Sequence, residues 1–225
     1  MYSRSNPIST RGGSFVLGLA LTALAGPLST VLGAQEEDTS PNSSARLIPE
    51  VVAIQPGESF TVAILIEMDP GWHSYWRNAG DSGLPTEMAW DLPEGFSPGE
   101  IQWPYPEKIV AYPLVDYGYS HQVALLVDIQ PPPELEDGST VRLAGRVDWL
   151  ICERICLPAY QEVEIDVRVS AEATRASPEW AGLFLETRDR IPKPLPAWEI
   201  SAEVTETGYR LEVDATEDEL EPPEE

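Results

Sequence analysis

The chain holds two cysteines, Cys152 and Cys156, in the run Val147-Asp148-Trp149-Leu150-Ile151-Cys152-Glu153-Arg154-Ile155-Cys156-Leu157-Pro158. Three residues separate them at the end of an apolar, strand-like stretch. The intervening residues can loop back and bring the sulfurs within disulfide reach, roughly 4.4–6.8 Å between α-carbons. Such a bond closes a tiny loop and removes little unfolded-chain entropy, so stapling the fold is a weak reason to have it. Strained, exposed disulfides are the ones that exchange with other thiols. The competing reading of the same spacing is a static disulfide at a strand end. Exchange requires a thiolate. Arg154 favours that form and Glu153 opposes it, so the flanking charges nearly cancel and do not choose the nucleophile.

Two other segments are dense in chemistry-bearing residues. Gly71 to Thr86 carries Trp72, His73, Tyr75 and Trp76, then the turn formers Asp81-Ser82-Gly83. Such aromatics serve either as core or as a recognition surface; Trp72 and Trp76 are assigned to the core, and Asp81-Ser82-Gly83 to a turn. Ile109 to Ser120 gathers Tyr112, Tyr117, Gly118 and Tyr119, and reads either as a hairpin tip or as a lid over a reactive site. Soft or borderline metal ligands exist in Cys152, Cys156, His73, His121, Met68 and Met88. The spacing does not bring either histidine to the cysteines, so no metal site is assigned, and copper handling stays as an alternative. Ser-His-Asp, phosphate-loop and dinucleotide-binding patterns are missing.

The elements that position these residues are mostly strands. With 22 prolines and 16 glycines among 225 residues, many short strands joined by turns are expected rather than a helical bundle. Strand-like runs span Leu47 to Ile54, Ser59 to Glu67, Thr86 to Leu92, Gln122 to Ile129, Val141 to Ile151 and Tyr160 to Val169, with Pro/Gly punctuation between them. In the fifth, Val141, Leu143, Gly145, Val147 and Trp149 share one face. This pattern predicts an all-β sandwich. Ser177-Pro178-Glu179 then reads as an N-cap, a first-turn proline and a first-turn acid, opening a helix with Trp180, Leu183, Phe184 and Ile191 on one stripe. Two further strand-like runs, Trp198 to Val204 and Tyr209 to Val213, begin a second β segment.

Charge and the N-terminus bear on location. The 38 acids against 14 bases give a formal charge of −24, with all the acids after residue 34. Such a surface repels phosphate backbones, so nucleic-acid binding is excluded. Arg4 and Arg11, the apolar stretch Phe15 to Ala25, the break at Gly26-Pro27 and small residues at Gly33-Ala34 read as a signal peptide. Export places both thiols in an oxidising compartment. The expected organisation is therefore a leader at 1–34, a linker at 35–46, the sandwich at 47–170, a helix and proline-rich spacer at 171–196, and an incomplete β segment with an acidic tail at 197–225.

Taken in order, WHSYWRNAGDSGLPTEMAWDLPEGF, IQWPYPEKI, LVDYGY and VDWLICERICLPAYQEVEI resemble the N-terminal periplasmic domain of the thiol:disulfide interchange protein DsbD and its relatives, including the ScsB-like branch. The resemblance covers roughly residues 47–170. It implies an immunoglobulin-like β-sandwich and a periplasmic protein-disulfide reductase component with no cofactor. Electrons would come from a thioredoxin-like domain, itself served by a transmembrane reductase domain on the same or a separate chain, and pass to oxidised periplasmic proteins. It further implies that Cys152 and Cys156 are the exchanging pair, with Cys156 forming the mixed disulfide. A cap loop is expected at about Leu114 to Tyr119, with Tyr117-Gly118 as its best match. Two departures stand out: the cysteines are closer together than in the best-known DsbD branch, and Asp116 stands where that branch has an aromatic cap residue. Shielding is therefore expected from Tyr117, Tyr119 or Tyr112. The alternative remains a non-catalytic immunoglobulin-like binding module whose disulfide is structural.

Overall fold

The structure is a computed structural model that describes residues 42–172, 175–193 and 198–215. The leader read in residues 1–34 and the acidic tail beyond 215 lie outside the described residues. Strands β1 (Ser43–Pro49), β2 (Phe60–Met68), β8 (Gln122–Gln130) and the short β5 (Ser97–Pro98) form a first sheet in the order β1-β2-β8-β5. A second sheet runs β10-β9-β3-β7-β6, from β10 (Cys156–Arg168), β9 (Thr140–Cys152), β3 (His73–Gly80), β7 (Leu114–Ser120) and β6 (Glu107–Ala111), with β4 (Glu87–Asp91) paired to β9. The architecture is all-β, as the alternating runs predict, and immunoglobulin-like, as the family resemblance implies.

Period-two patterning explains which side chains meet between the sheets. Val62, Ile64 and Ile66 of β2 and Val123, Leu125 and Val127 of β8 point into one core with Leu143, Val147, Trp149 and Ile151 of β9 and Val163 of β10. The predicted face of β9 is the buried one. Ser43 shows why β1 begins inside the polar stretch read as a linker: its hydroxyl accepts the Trp149 indole N–H at 3.1 Å, and the strand pairs with β2 from Ser43↔Met68 onward.

β2 reads as a nearly unbroken apolar run because its sheet is covered on both sides. Helix α1 (Ala181–Asp189) lays Phe184 on the outward residues Ile48, Ala63, Leu65, Ala124 and Leu126, flanked by Trp180, Leu183 and Ile191. The expected apolar stripe is the one used, so the helix belongs to the sandwich rather than to a spacer. Its start differs from expectation. Ser177 opens a turn, its carbonyl accepting the N–H groups of Trp180 and Ala181 at 3.2 and 2.9 Å, and the α-helix proper begins at Ala181. Arg188 ties the last turn down, pairing through both guanidinium nitrogens with the Glu50 carboxylate and donating to Thr61 Oγ1 at 3.0 Å. That hydrogen-bonded pairing holds the Glu50 carboxyl below the usual carboxylate range. Strands β11 (Trp198–Thr205) and β12 (Gly208–Ala215) form a separate antiparallel hairpin where the second β segment is predicted.

Candidate functional site

The two cysteines sit at the turn end of the longest ladder among the described strands. Thirteen residues of β9 pair with thirteen of β10, from Arg168↔Thr140 to Cys156↔Cys152. The cysteines are therefore direct cross-strand partners, disulfide-bonded, with α-carbons 4.1 Å apart. Glu153, Arg154 and Ile155 form the turn between them and are exposed. The two sulfurs are not equivalent: Cys152 is only 4% exposed, whereas Cys156 lies at the surface. The burial comes from β3, which lies on the other side of β9.

His73 of β3 pairs with Cys152 on one side and Ser120 of β7 on the other. Directly opposed residues of neighbouring strands point to the same side of a sheet. His73 and, two residues on, Tyr75 therefore share the face of the disulfide. The Tyr75 hydroxyl donates to Cys152 Sγ at 2.8 Å and lies 3.4 Å from Cys156 Sγ. The His73 ring meets the Tyr75 ring edge-on, with centroids 5.3 Å apart. Burial pushes the Tyr75 phenol above its ordinary pKa, so the hydroxyl keeps its proton as a donor. Burial lowers the His73 pKa, against an opposing pull from the Asp116 carboxylate, which favours a neutral imidazole beside the pair.

A loop locks Tyr75 in place. Asp116 of β7 is buried, and its carboxylate accepts from Ser82 N at 2.8 Å and from Ser82 Oγ at 2.7 Å. Val115 N donates to Asp81 Oδ2 at 2.8 Å, so the loop and β7 grip each other twice. The next residue, Gly83, lies flat on the Tyr75 ring at φ +85°. A β-carbon there would overlap ring atoms Cδ1 and Cε1, so glycine is required both for space and for backbone.

The structure brings some of the residues expected at the site together and separates others. Cys152 and Cys156 are joined. Asp116 lies beneath the loop that covers Tyr75, and Gly118 pairs with Tyr75, packed so closely that a β-carbon would strike the Ser74 carbonyl. Tyr117 and Tyr119 alternate to the opposite face of β7 from Asp116 and Gly118, away from the sulfurs. Tyr119 is buried in the core, its hydroxyl donating to the Pro104 carbonyl at 2.7 Å. Tyr112, 95% exposed, stands at the tip of the β6–β7 hairpin. The residue that touches the sulfurs is Tyr75, which lay in the aromatic segment but was not singled out. The sequence signal for it was the alternation His73-Ser74-Tyr75, legible only once that segment is taken as a strand. The same strand brings His73 to Cys152, which spacing alone did not suggest. Among the described residues, no group of three or more His, Cys, Asp or Glu side chains is disposed to hold a metal ion.

The family model described as "Thiol:disulfide interchange protein DsbD, N-terminal" matches residues 44–167. Among solved structures, the chain is similar to the N-terminal periplasmic domain of ScsB from Proteus mirabilis, with 15% sequence identity and a TM-score of 0.54. That alignment covers 77% of this chain and 62% of the ScsB chain, less than two thirds of it, and at this identity it bears on the fold alone. The N-terminal domain of DsbD from Neisseria meningitidis in its reduced form aligns with 15% identity and a TM-score of 0.29, over 58% of this chain and 89% of that one. No curated protein matches the sequence.

Proposed function

Because this chain belongs to the family of DsbD N-terminal domains, matched over residues 44–167, we propose that it is a periplasmic shuttle carrying electrons from a thioredoxin-like donor to oxidised exported proteins. Family membership carries the general chemistry of thiol–disulfide exchange; the direction, the donor and the compartment are our reading. The observation that supports it most is the asymmetry of the pair, one sulfur presented and the other held under a tyrosine hydroxyl.

The cycle follows from that asymmetry. A donor thiolate attacks the exposed Cys156 Sγ, the Cys152–Cys156 bond breaks, and the electron pair leaves on Cys152 Sγ. The second donor thiol then attacks the mixed disulfide and releases Cys156. Two electrons and two protons have entered, and the donor is left as a disulfide. In the delivering half, the Cys156 thiolate attacks the target's disulfide and Cys152 resolves the mixed intermediate, restoring the internal bond. Cys152 must carry negative charge in both halves, and the Tyr75 hydroxyl is in place to donate to it. We assign Asp116 and the loop at residues 80–85 the role of holding Tyr75 there.

The reduction potential tests the reading. Equilibration of the folded protein with glutathione buffers is expected to give a value above about −300 mV, because a bond across so short a turn, with one sulfur at the surface, contributes little to stability. A lower value indicates an inert structural disulfide and refutes the shuttle.

Tyr75→Phe keeps the ring and removes the donor. Hydrogen bonds to charged groups contribute about 1.5–3 kcal/mol, so exchange at neutral pH is expected to slow roughly 10- to 100-fold. In the reduced protein the Cys152 thiolate loses that donor, so Cys152 should be alkylated more slowly than in the parent at the same pH. Stopped-flow exchange with a reduced thioredoxin-like protein and pH-dependent alkylation read the two effects; unchanged values remove Tyr75 from the mechanism.

A further inference from the structure

Beside the disulfide, on the same face of the second sheet, runs a groove of about 380 Å³. Its floor continues the cysteine row. After Cys152↔Cys156 the next pair on that face is Leu150↔Pro158, and the next Asp148↔Tyr160. Leu84 and Pro85 form one wall, ahead of Glu87, the first residue of β4. At the far end, the Arg146 guanidinium is hydrogen-bonded to Asp148 at 3.1 Å and stacks on the Tyr160 ring at 4.1 Å. Leu84 is 65% exposed and lines the groove.

Resting on the exchange reading, we propose that this groove seats the partner's polypeptide next to its reacting cysteine, as an extended segment with an apolar side chain two residues from the sulfur. The argument is one of continuity. A partner sulfur bonded to Cys156 fixes where the neighbouring backbone begins, and the face of β9 and β10 that continues from it runs over Pro158 and Leu150. From the cysteine pair to Asp148↔Tyr160 is four residues of strand, about 13 Å, which accommodates about four residues of extended ligand. An apolar side chain two residues from the cysteine then falls on the Leu84, Leu150 and Pro158 surface. Glu87 and Asp148 outnumber Arg146, and the whole chain is at −24, so the segment is neutral or basic rather than acidic at its far end.

The test uses the oxidised protein and synthetic pentapeptide thiols with one cysteine, carrying Leu or the uncharged Ser two residues to either side of it, with β-mercaptoethanol as a thiol too small to reach the groove. A Leu peptide is expected to reduce the disulfide about ten-fold faster than its Ser counterpart, the size of effect an apolar pocket gives for one side chain. In Leu84→Ser that ratio should fall to about one, and in Leu84→Ala to an intermediate value. If β-mercaptoethanol and all the peptides fail to exchange, the shuttle reading itself is wrong. If all exchange but Leu and Ser peptides react alike, or Leu84→Ser keeps the parent ratio, the groove is overturned while the exchange chemistry stands.

Discussion

Replacing Cys152 by serine is expected to arrest the protein as a mixed disulfide with its partner, and replacing Cys156 by serine is expected to capture nothing. The difference follows from burial. In Cys152→Ser the remaining sulfur is the exposed one at the end of β10, free to attack a target disulfide, and no second thiol is left to resolve the product. In Cys156→Ser the remaining sulfur lies almost wholly covered beneath Tyr75, where a partner's disulfide cannot reach it in line. Both variants lose multiple-turnover exchange completely. Both should stay folded, within about 1–2 kcal/mol of the parent, because the loop closed by the bond is so small. Non-reducing electrophoresis after mixing with an oxidised target protein, together with urea unfolding, reads both parts. Equal capture by the two variants would place the attack on the wrong sulfur. Unfolding of either one would make the bond structural.

Phe184→Ala is expected to cost about 3–5 kcal/mol, the range for removing a fully buried aromatic side chain, out of a total stability of typically 5–15 kcal/mol. Phe184 is 1% exposed and is the central contact between α1 and the outward face of the first sheet. Loss of that contact also weakens the grip of Arg188 on Glu50 and Thr61, since the helix holds the arginine over them. The disulfide lies on the outward face of the other sheet, so the exchange rate of the molecules that remain folded should be unchanged. A loss of less than about 1 kcal/mol in urea unfolding would mean that the helix is an appendage rather than a third layer.

Much of this could be read before any coordinates. β9 and β10 announce themselves by alternation, β2 and β8 by apolar, β-branched runs that prolines or glycines bound, and the helix stripe of Trp180, Leu183, Phe184 and Ile191 is the one buried. β3 was hidden for a physical reason. His73 to Gly80 contains a charged residue, an amide and a bulge between Tyr75 and Gly80, so neither β-branched enrichment nor an unbroken period marks it. Its identity as a strand comes from pairing with β7 and β9, which are distant in sequence. The site inherits that limit: the cysteine pair is local and was legible, whereas Tyr75 reaches it across 77 residues of chain. Asp116 likewise meets Ser82 across 34 residues, and no local pattern reports that contact. The start of β1 at Ser43 depends on a hydroxyl meeting a buried indole 106 residues away.

The cysteines close a seam that thirteen pairs of backbone already hold shut. Were the clasp to open, the twelve other pairs would still hold the strands in register and leave both sulfurs face to face. On the exchange reading proposed above, a carrier built this way is emptied and refilled without passing through a loosened form that proteases would find.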